Sequence, residues 1–383
     1  MKLFETIECS GSPYEMGVQQ GEALREPLHA FLRTFEKSEE FRASAGRVVG
    51  AEGVLRMLGR ITTLAQRFAA GEALGPWRAR LEGIADGAKM DRPILWGAQV
   101  IEALISSPLA MSGCTSIAVG SRRTGGAGPL LLKNYDIGEM LRPTTCLRTS
   151  RPSGRLASFD MVINALVGSH VTMNEAGLCL SYNYGMVRWY PHPGVPPTYL
   201  VQHAAENFTG TNEAADWLSK QTSTNGCIIT VLDRDDHLCV VEKAGRHGAV
   251  RRDEDGLTVA TNHFLTDGMS RFNYDMTTVY GKRTSSSIRG MSVQASNVAR
   301  LDRARRLLAE ASAAGGRIST GRLMEIARDH DGKGRGDENT ICRHHEGMMT
   351  LASIILVPRE RKAYLCAGNP CEGAFEEIEV PGR

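Results

Sequence analysis

The chain of 383 residues has no Cys-x-x-Cys pair, no internal repeat and no low-complexity stretch. Nor does any run approach the ~18 apolar residues that a membrane-spanning helix needs. Basic and acidic residues nearly cancel, 45 against 43, so neither nucleic acid nor an anionic membrane is the expected partner. The opening MKLFETIECSGSPYEMG lacks a basic stretch leading into an apolar one, so no secretory signal is expected and the reading is cytoplasmic. Nine scattered cysteines, an odd number in a long chain, argue against a disulfide framework. Cys342, His344 and His345 lie close together, but neighbours on a strand point to opposite faces. No third and fourth ligand follows at a sensible spacing, so no metal site is expected. RRTGGAGP (122–129) lacks the Gly-Lys-Ser/Thr ending of a phosphate loop and reads as a hairpin connection.

What is present changes character near residue 113. Before it, apolar residues recur at three- and four-residue steps, as in Val18, Leu24, Leu28, Phe31 and Phe35, then Leu55, Leu58 and Ile61, then Trp77, Leu81 and Ile84. These are amphipathic helices that need a surface to pack on. After it come short strand-like runs: TSIAV, PLLLKNY, SFDMVINAL, HVTMN, LCLSYN, CIITVLD, HLCVVEK, LTVATN, and finally MMTLASIILVP with RKAYLCAG. Helical stretches around 198–220 and 297–330 interrupt them. The pattern predicts an α+β layered fold, with a helical N-terminal segment over 1–113 and a strand-rich body over 114–383.

The seam itself reads SGCTSIAVG, residues 112–120. A cysteine thiolate is a strong nucleophile that needs a proton acceptor. No histidine stands in a signature spacing from Cys114. Cleavage of the Gly113–Cys114 bond would supply the base from the cysteine itself, because an α-amino group titrates at roughly 7.7–8.0. The thiol can make that cut by attacking the Gly113 carbonyl, giving a thioester that water hydrolyses. Gly113, without a Cβ, permits the close approach.

Several blocks then resemble, in order, the acyl-coenzyme A:6-aminopenicillanic acid acyltransferase family, the isopenicillin N acyltransferases of peptidase family C45. They are IECSGSPYEMGVQQGEA (7–23), SGCTSIA, KNYDIG (133–138), VTMNEAGLCLSYNYG (171–185), TNHFL (261–265), SNVARLDRARRLL (296–308) and TICRH (340–344). The resemblance implies a four-layer αββα N-terminal-nucleophile hydrolase fold that cleaves itself between Gly113 and Cys114. It implies Cys114 as nucleophile, Asp136 orienting the freed α-amino group, and Asn262 donating its amide to the oxyanion. Arg300 would lower the thiol pKa by its charge. Asn183, Tyr184 and Trp189 are candidate substrate-binding residues. No cofactor is implied, although a coenzyme A thioester would serve as an acyl donor. The expected partner is a small acylated amine, amide or thioester, attacked to give an acyl-Cys114 intermediate. The two fragments stay associated, and a homo-oligomer is left open.

Two departures stand out. The family's arginine shortly after the ICR block has no counterpart in RHHEGMM (343–349), so substrate preference does not transfer. The segment 266–294, with Phe272, Tyr274 and Tyr280 among arginines and lysines, reads either as a lid or pocket wall or as a solvated insertion. Two other functions remain: an uncleaved relative that binds an acylated ligand without catalysis, and an unprocessed cysteine hydrolase with His263 as its base.

Overall fold

In the computed structural model, the described residues are 4–37, 39, 41–42, 50–65, 72–99, 113–138, 142, 145–163, 166–188, 192–252, 255–282, 284, 286–313, 316–345 and 348–380. Two sheets stack face to face. The first has eight strands in the order β1 (Glu5–Gly11), β4 (Thr145–Pro152), β5 (Ser158–Ile163), β6 (Val171–Asn174), β7 (Cys179–Gly185), β8 (Gly226–Leu232), β9 (Leu238–Ala244) and β10 (His247–Arg251). The second runs β11 (Leu257–Ala260), β2 (Gly113–Val119), β3 (Leu130–Ile137), β13 (Met348–Val357), β14 (Lys362–Ala367) and β15 (Glu376–Glu379), with β12 (His344–His345) also on β13. The N-terminal segment is therefore not helical throughout. Its β1 joins β4 in parallel, which ties it into the first sheet.

Helices cover both outer faces and complete four layers, α+β as expected. On the first sheet lie α1 (Pro13–Ala23), α2 (Arg25–Lys37), α3 (Ala51–Ala65), α4 (Leu74–Ala88), α5 (Arg92–Gln99), α6 (Pro197–Asn207) and α7 (Thr211–Lys220). The expected single helix through residues 17–35 is two, interrupted at Leu24 (φ −110°, ψ 20°). SGSPYE starts α1 as a capping box: Ser12 Oγ accepts from Glu15 N while Glu15 accepts from Ser12 N. Helices α1 and α4 meet glycine to glycine. A Cβ on Gly17 or Gly21 would lie 2.1 or 2.3 Å from the Arg80 or Ile84 carbonyl oxygen, and Gly83 and Gly87 are equally crowded by α1. The glycine spacing of the opening block is thus a helix-packing device.

The second sheet is covered by α8 (Ala295–Ala313) and α9 (Thr320–Ala327). Strand alternation sorts its residues between two interfaces. Cys114, Leu131 and Tyr135 meet Phe159, Met161 and Met173 of the first sheet. Ile117, Leu130 and Leu132 meet Leu301, Leu308 and Leu323 of the helices. Met269, Phe272, Tyr280, Ile288 and Val293 are all buried, so the described part of segment 266–294 is anchored in the body, with exposed residues such as Met276 and Val279 between the anchors. Among the described residues, no helix is long and apolar enough to cross a membrane.

Candidate active site

β2 and β3 pair antiparallel, with Gly113 opposite Asp136 and Cys114 opposite Tyr135. Cross-strand partners share a face. Cys114 therefore points between the sheets, together with Lys133 and Tyr135, while Gly113, Thr115 and Asp136 face the helical layer.

From that layer, α8 presents Arg300, fully buried, with all its donors used. Its Nη1 donates to the Cys114 carbonyl oxygen (2.6 Å) and to Thr115 Oγ1 (3.0 Å). Its Nη2 donates to Asn262 Oδ1 (3.0 Å) and Asn297 Oδ1 (2.9 Å), and its Nε to Ser296 Oγ (3.2 Å). Asn262 Oδ1 in turn accepts from the Cys114 amide nitrogen at 2.8 Å, and its Nδ2 donates to the Tyr184 carbonyl oxygen at 2.8 Å.

This geometry places the expected site residues. Asn262 is oriented by a donor on one side and an acceptor on the other, so its oxygen faces the nucleophile. It accepts from the nitrogen of Cys114, and one of the two hydrogens on its amide goes to the Tyr184 carbonyl. Arg300 grips the main chain and is coupled by charge to Cys114, while the cation with the largest pull on the thiol is Lys133 of β3, in hydrogen bond with Cys114. Asn183 has no donor to spare for substrate. Its Nδ2 serves the Ala260 and Thr261 carbonyls, and its Oδ1 accepts from Lys133 Nζ (2.9 Å) and Ser116 Oγ (2.7 Å). The Tyr184 ring is part of the buried core that also holds the N-terminal helices, and its carbonyl accepts from Asn262. Trp189 lies outside the described residues.

Asp136, expected to orient the α-amino group of Cys114, stands across the strand pair from Gly113. Its Oδ1 accepts from Thr350 Oγ1 at 2.8 Å, and its Oδ2 lies 3.8 Å from both Arg300 Nη1 and Arg343 Nη1. Burial raises its pKa, and Arg343 and Arg300 work against that. Burial and the Asp136 charge likewise push the Cys114 thiol up; Lys133, through charge and hydrogen bond, and the Asp136 amide work against that.

Two site residues escaped the motif reading. Lys133 is fully buried and also donates to the Tyr182 carbonyl. A lysine inside the apolar run LLLKNY was its signal, since lysines are seldom buried without a partner. Arg343 of the ICR block packs against Gly113, where a Cβ would lie 2.0 Å from its Nη1 and 3.3 Å from Arg300 Nη2. Gly113 is thus required by the guanidinium beside it. His263 is held by Thr261 Oγ1 (3.1 Å), and burial, with Arg300 and Arg305, pushes its pKa down to about 4.

The expected lack of a metal site is also revised. His330, Cys342, His344 and Cys371 place one ligand atom each within 4.8 Å of one another. The third and fourth ligands come from a loop after α9 and a loop after β14, which no local spacing could connect to Cys342.

Solved structures with similar folds include an N-acylethanolamine-hydrolyzing acid amidase ortholog from Caenorhabditis elegans: 14% identity, 64% of this chain and 93% of that chain, TM-score 0.44. A variant of conjugated bile acid hydrolase from Clostridium perfringens gives 14% identity, 70% and 97% coverage, and a TM-score of 0.45. Penicillin V acylase from Agrobacterium tumefaciens gives 11%, 66% and 83%, and 0.35. The comparison with curated proteins finds no match. The family model of acyl-coenzyme A:6-aminopenicillanic acid acyl-transferase matches residues 123–372. That span is well over half of the sequence, and the chain belongs to this family of N-terminal-nucleophile acyltransferases.

Proposed function

We propose that the chain is the precursor of a self-processing cysteine enzyme. Cys114 Sγ adds to the Gly113 carbonyl carbon, the Cys114 nitrogen departs with a proton, and a thioester joins the two halves. Water then hydrolyses the thioester, leaving the Gly113 carboxylate and a Cys114 with free thiol and α-amine.

The observation that carries this reading is the convergence of polar groups on one peptide bond. Asn262 Oδ1 accepts from the nitrogen that must leave. Lys133 stabilises the thiolate that must attack, against burial and the Asp136 charge. Arg343 and Arg300 crowd the Gly113 face, where their charges favour an oxyanion developing at that carbonyl. Ordinary structural positions do not gather two buried arginines, a buried lysine and a buried aspartate around one Gly-Cys pair.

The processed enzyme would attack an amide or thioester carbonyl with Cys114. Its α-amine, still beside Asn262, would take the thiol proton and return it to the leaving group. The acyl group then passes from Cys114 to water or to an acceptor amine. No cofactor enters these steps, and a coenzyme A thioester fits as donor. Missing the family's arginine after the ICR block, the chain is assigned to small acylated amines. Cys114 is only 5% exposed, so processing must also open the thiol to substrate. His263, pushed down to about 4, is a weak base at neutral pH, which disfavours the unprocessed cysteine–histidine reading.

Intact-mass spectrometry beside a Cys114→Ala control tests the proposal. Fragments of roughly 12 and 29 kDa by chain length, the larger beginning Cys-Thr-Ser, are expected from the wild type alone. A single 41.7 kDa species in both samples would refute it.

A further inference from the structure

We propose that His330, Cys342, His344 and Cys371 form a tetrahedral zinc site that locks the segment carrying Arg343. All four ligand atoms lie within 4.8 Å of one another. His344 Nε2 stands between the two sulfurs, 3.5 Å from Cys342 Sγ and 3.2 Å from Cys371 Sγ. A Cys₂His₂ zinc site, with bonds of about 2.3 Å to sulfur and 2.0–2.1 Å to nitrogen, places its ligand atoms about 3.3–3.8 Å apart. The cluster needs only a small contraction to reach that spacing.

His330 is set up as a ligand by its own surroundings. Its Nδ1 lies 2.6 Å from the Gly334 carbonyl oxygen and must carry the proton in that bond, which leaves Nε2 with a lone pair. Nε2 is buried and has no hydrogen-bond partner. Metal-bound imidazoles are oriented in the same way, by a carbonyl on the second nitrogen. The His330 and His344 rings stand perpendicular with centroids 5.0 Å apart, so the two imidazoles approach from different directions. Two thiolates and two neutral imidazoles would exactly balance a divalent ion, which suits a partly buried site.

The position in the chain supplies the purpose. Cys342 and His344 flank Arg343, whose guanidinium packs on Gly113 and faces Asp136. Cys371 and His330 tie that short stretch to two other loops. The metal thus fixes the backbone on both sides of an arginine at the scissile bond, acting at a distance from Cys114 and independently of whether cleavage occurs.

The test is metal content of untagged full-length protein, followed by cobalt(II) substitution after chelation. About one zinc per chain is expected. Cobalt should give the intense visible bands of a tetrahedral site together with thiolate charge transfer in the near ultraviolet. Cys371→Ser should lose about half of that charge transfer, and Cys371→His should restore metal uptake with a one-thiolate spectrum. Should the variants fail to fold, the wild type decides the matter alone: its melting temperature should fall on chelation and recover with zinc. Reduced, folded wild-type protein that takes up neither zinc nor cobalt would overturn the proposal. So would a Cys342–Cys371 disulfide in protein purified under reducing conditions.

Discussion

Lys133→Met isolates the charge that activates the nucleophile. The Lys133 ammonium is fully buried, hydrogen-bonds Cys114, and is held in place by the Tyr182 carbonyl and by Asn183 Oδ1 at 2.9 Å. A hydrogen bond to a charged group contributes about 1.5–3 kcal/mol, which corresponds to about one to two pKa units on the thiol. Methionine matches the length of the chain without the charge, so the thiol pKa should rise by that amount. At neutral pH the thiolate population, and with it the rate of self-cleavage, should fall about 10- to 100-fold. The assay is the appearance of the larger fragment by mass spectrometry across a pH series. The wild-type rate should level off at lower pH than the variant's, and the variant should recover as pH rises past its higher thiol pKa. Lys133→Arg should keep most of the rate. A folded Lys133→Met protein with wild-type rate and an unshifted pH profile would refute the assignment, because a purely structural lysine would not move that profile.

Two further outcomes follow from neighbouring geometry. Gly113→Ala places a methyl 2.0 Å from Arg343 Nη1, with Arg300 Nη2 next in line; overpacking of this kind costs about 1–3 kcal/mol. Cleavage should slow at least about tenfold although Cys114 is untouched, and an unchanged rate in the same fragment assay would remove Arg343 from the site. Away from the site, burial first, and then Arg155, pushes His203 down to about 4, where it stacks on Trp217 at 4.7 Å. Below pH 6.5 the unfolded chain takes up a proton that the folded chain refuses until about pH 4, so this group removes up to about 3 kcal/mol of stability across that window. His203→Phe keeps the stack and should flatten that loss; equal acid lability in urea melts of both proteins would count against it.

Lysine 133 shows how much of the site could be read in one dimension. Its block, KNYDIG, was visible as a motif, and Asp136 within it falls opposite Gly113. That Lys133 and Asp136 work on opposite faces of the sheet follows from strand alternation, but which face holds the thiol depends on the β2–β3 register. The same holds for Asn262. Its presence near Cys114 was legible, whereas the direction of its amide was set by the Tyr184 carbonyl, contributed by the other sheet.

Sequence alone determined the layered α+β class and most of the central strands, because period-two and period-3.6 patterns are local signals, and the Gly-Cys seam pointed to the nucleophile proposed above. It missed β1, since only Ile7 and Cys9 of that strand are buried and an edge strand has little alternation to show. It also missed β4, whose interior holds Arg148. That residue is tolerable there because Asp160, Gln20 and Gln202 bond it from three other elements. Only the tertiary structure decided that Arg343 would sit on Gly113, and that His330 and Cys371 would meet Cys342 and His344. Those contacts join residues far apart in the chain, and long-range register leaves no trace in local spacing.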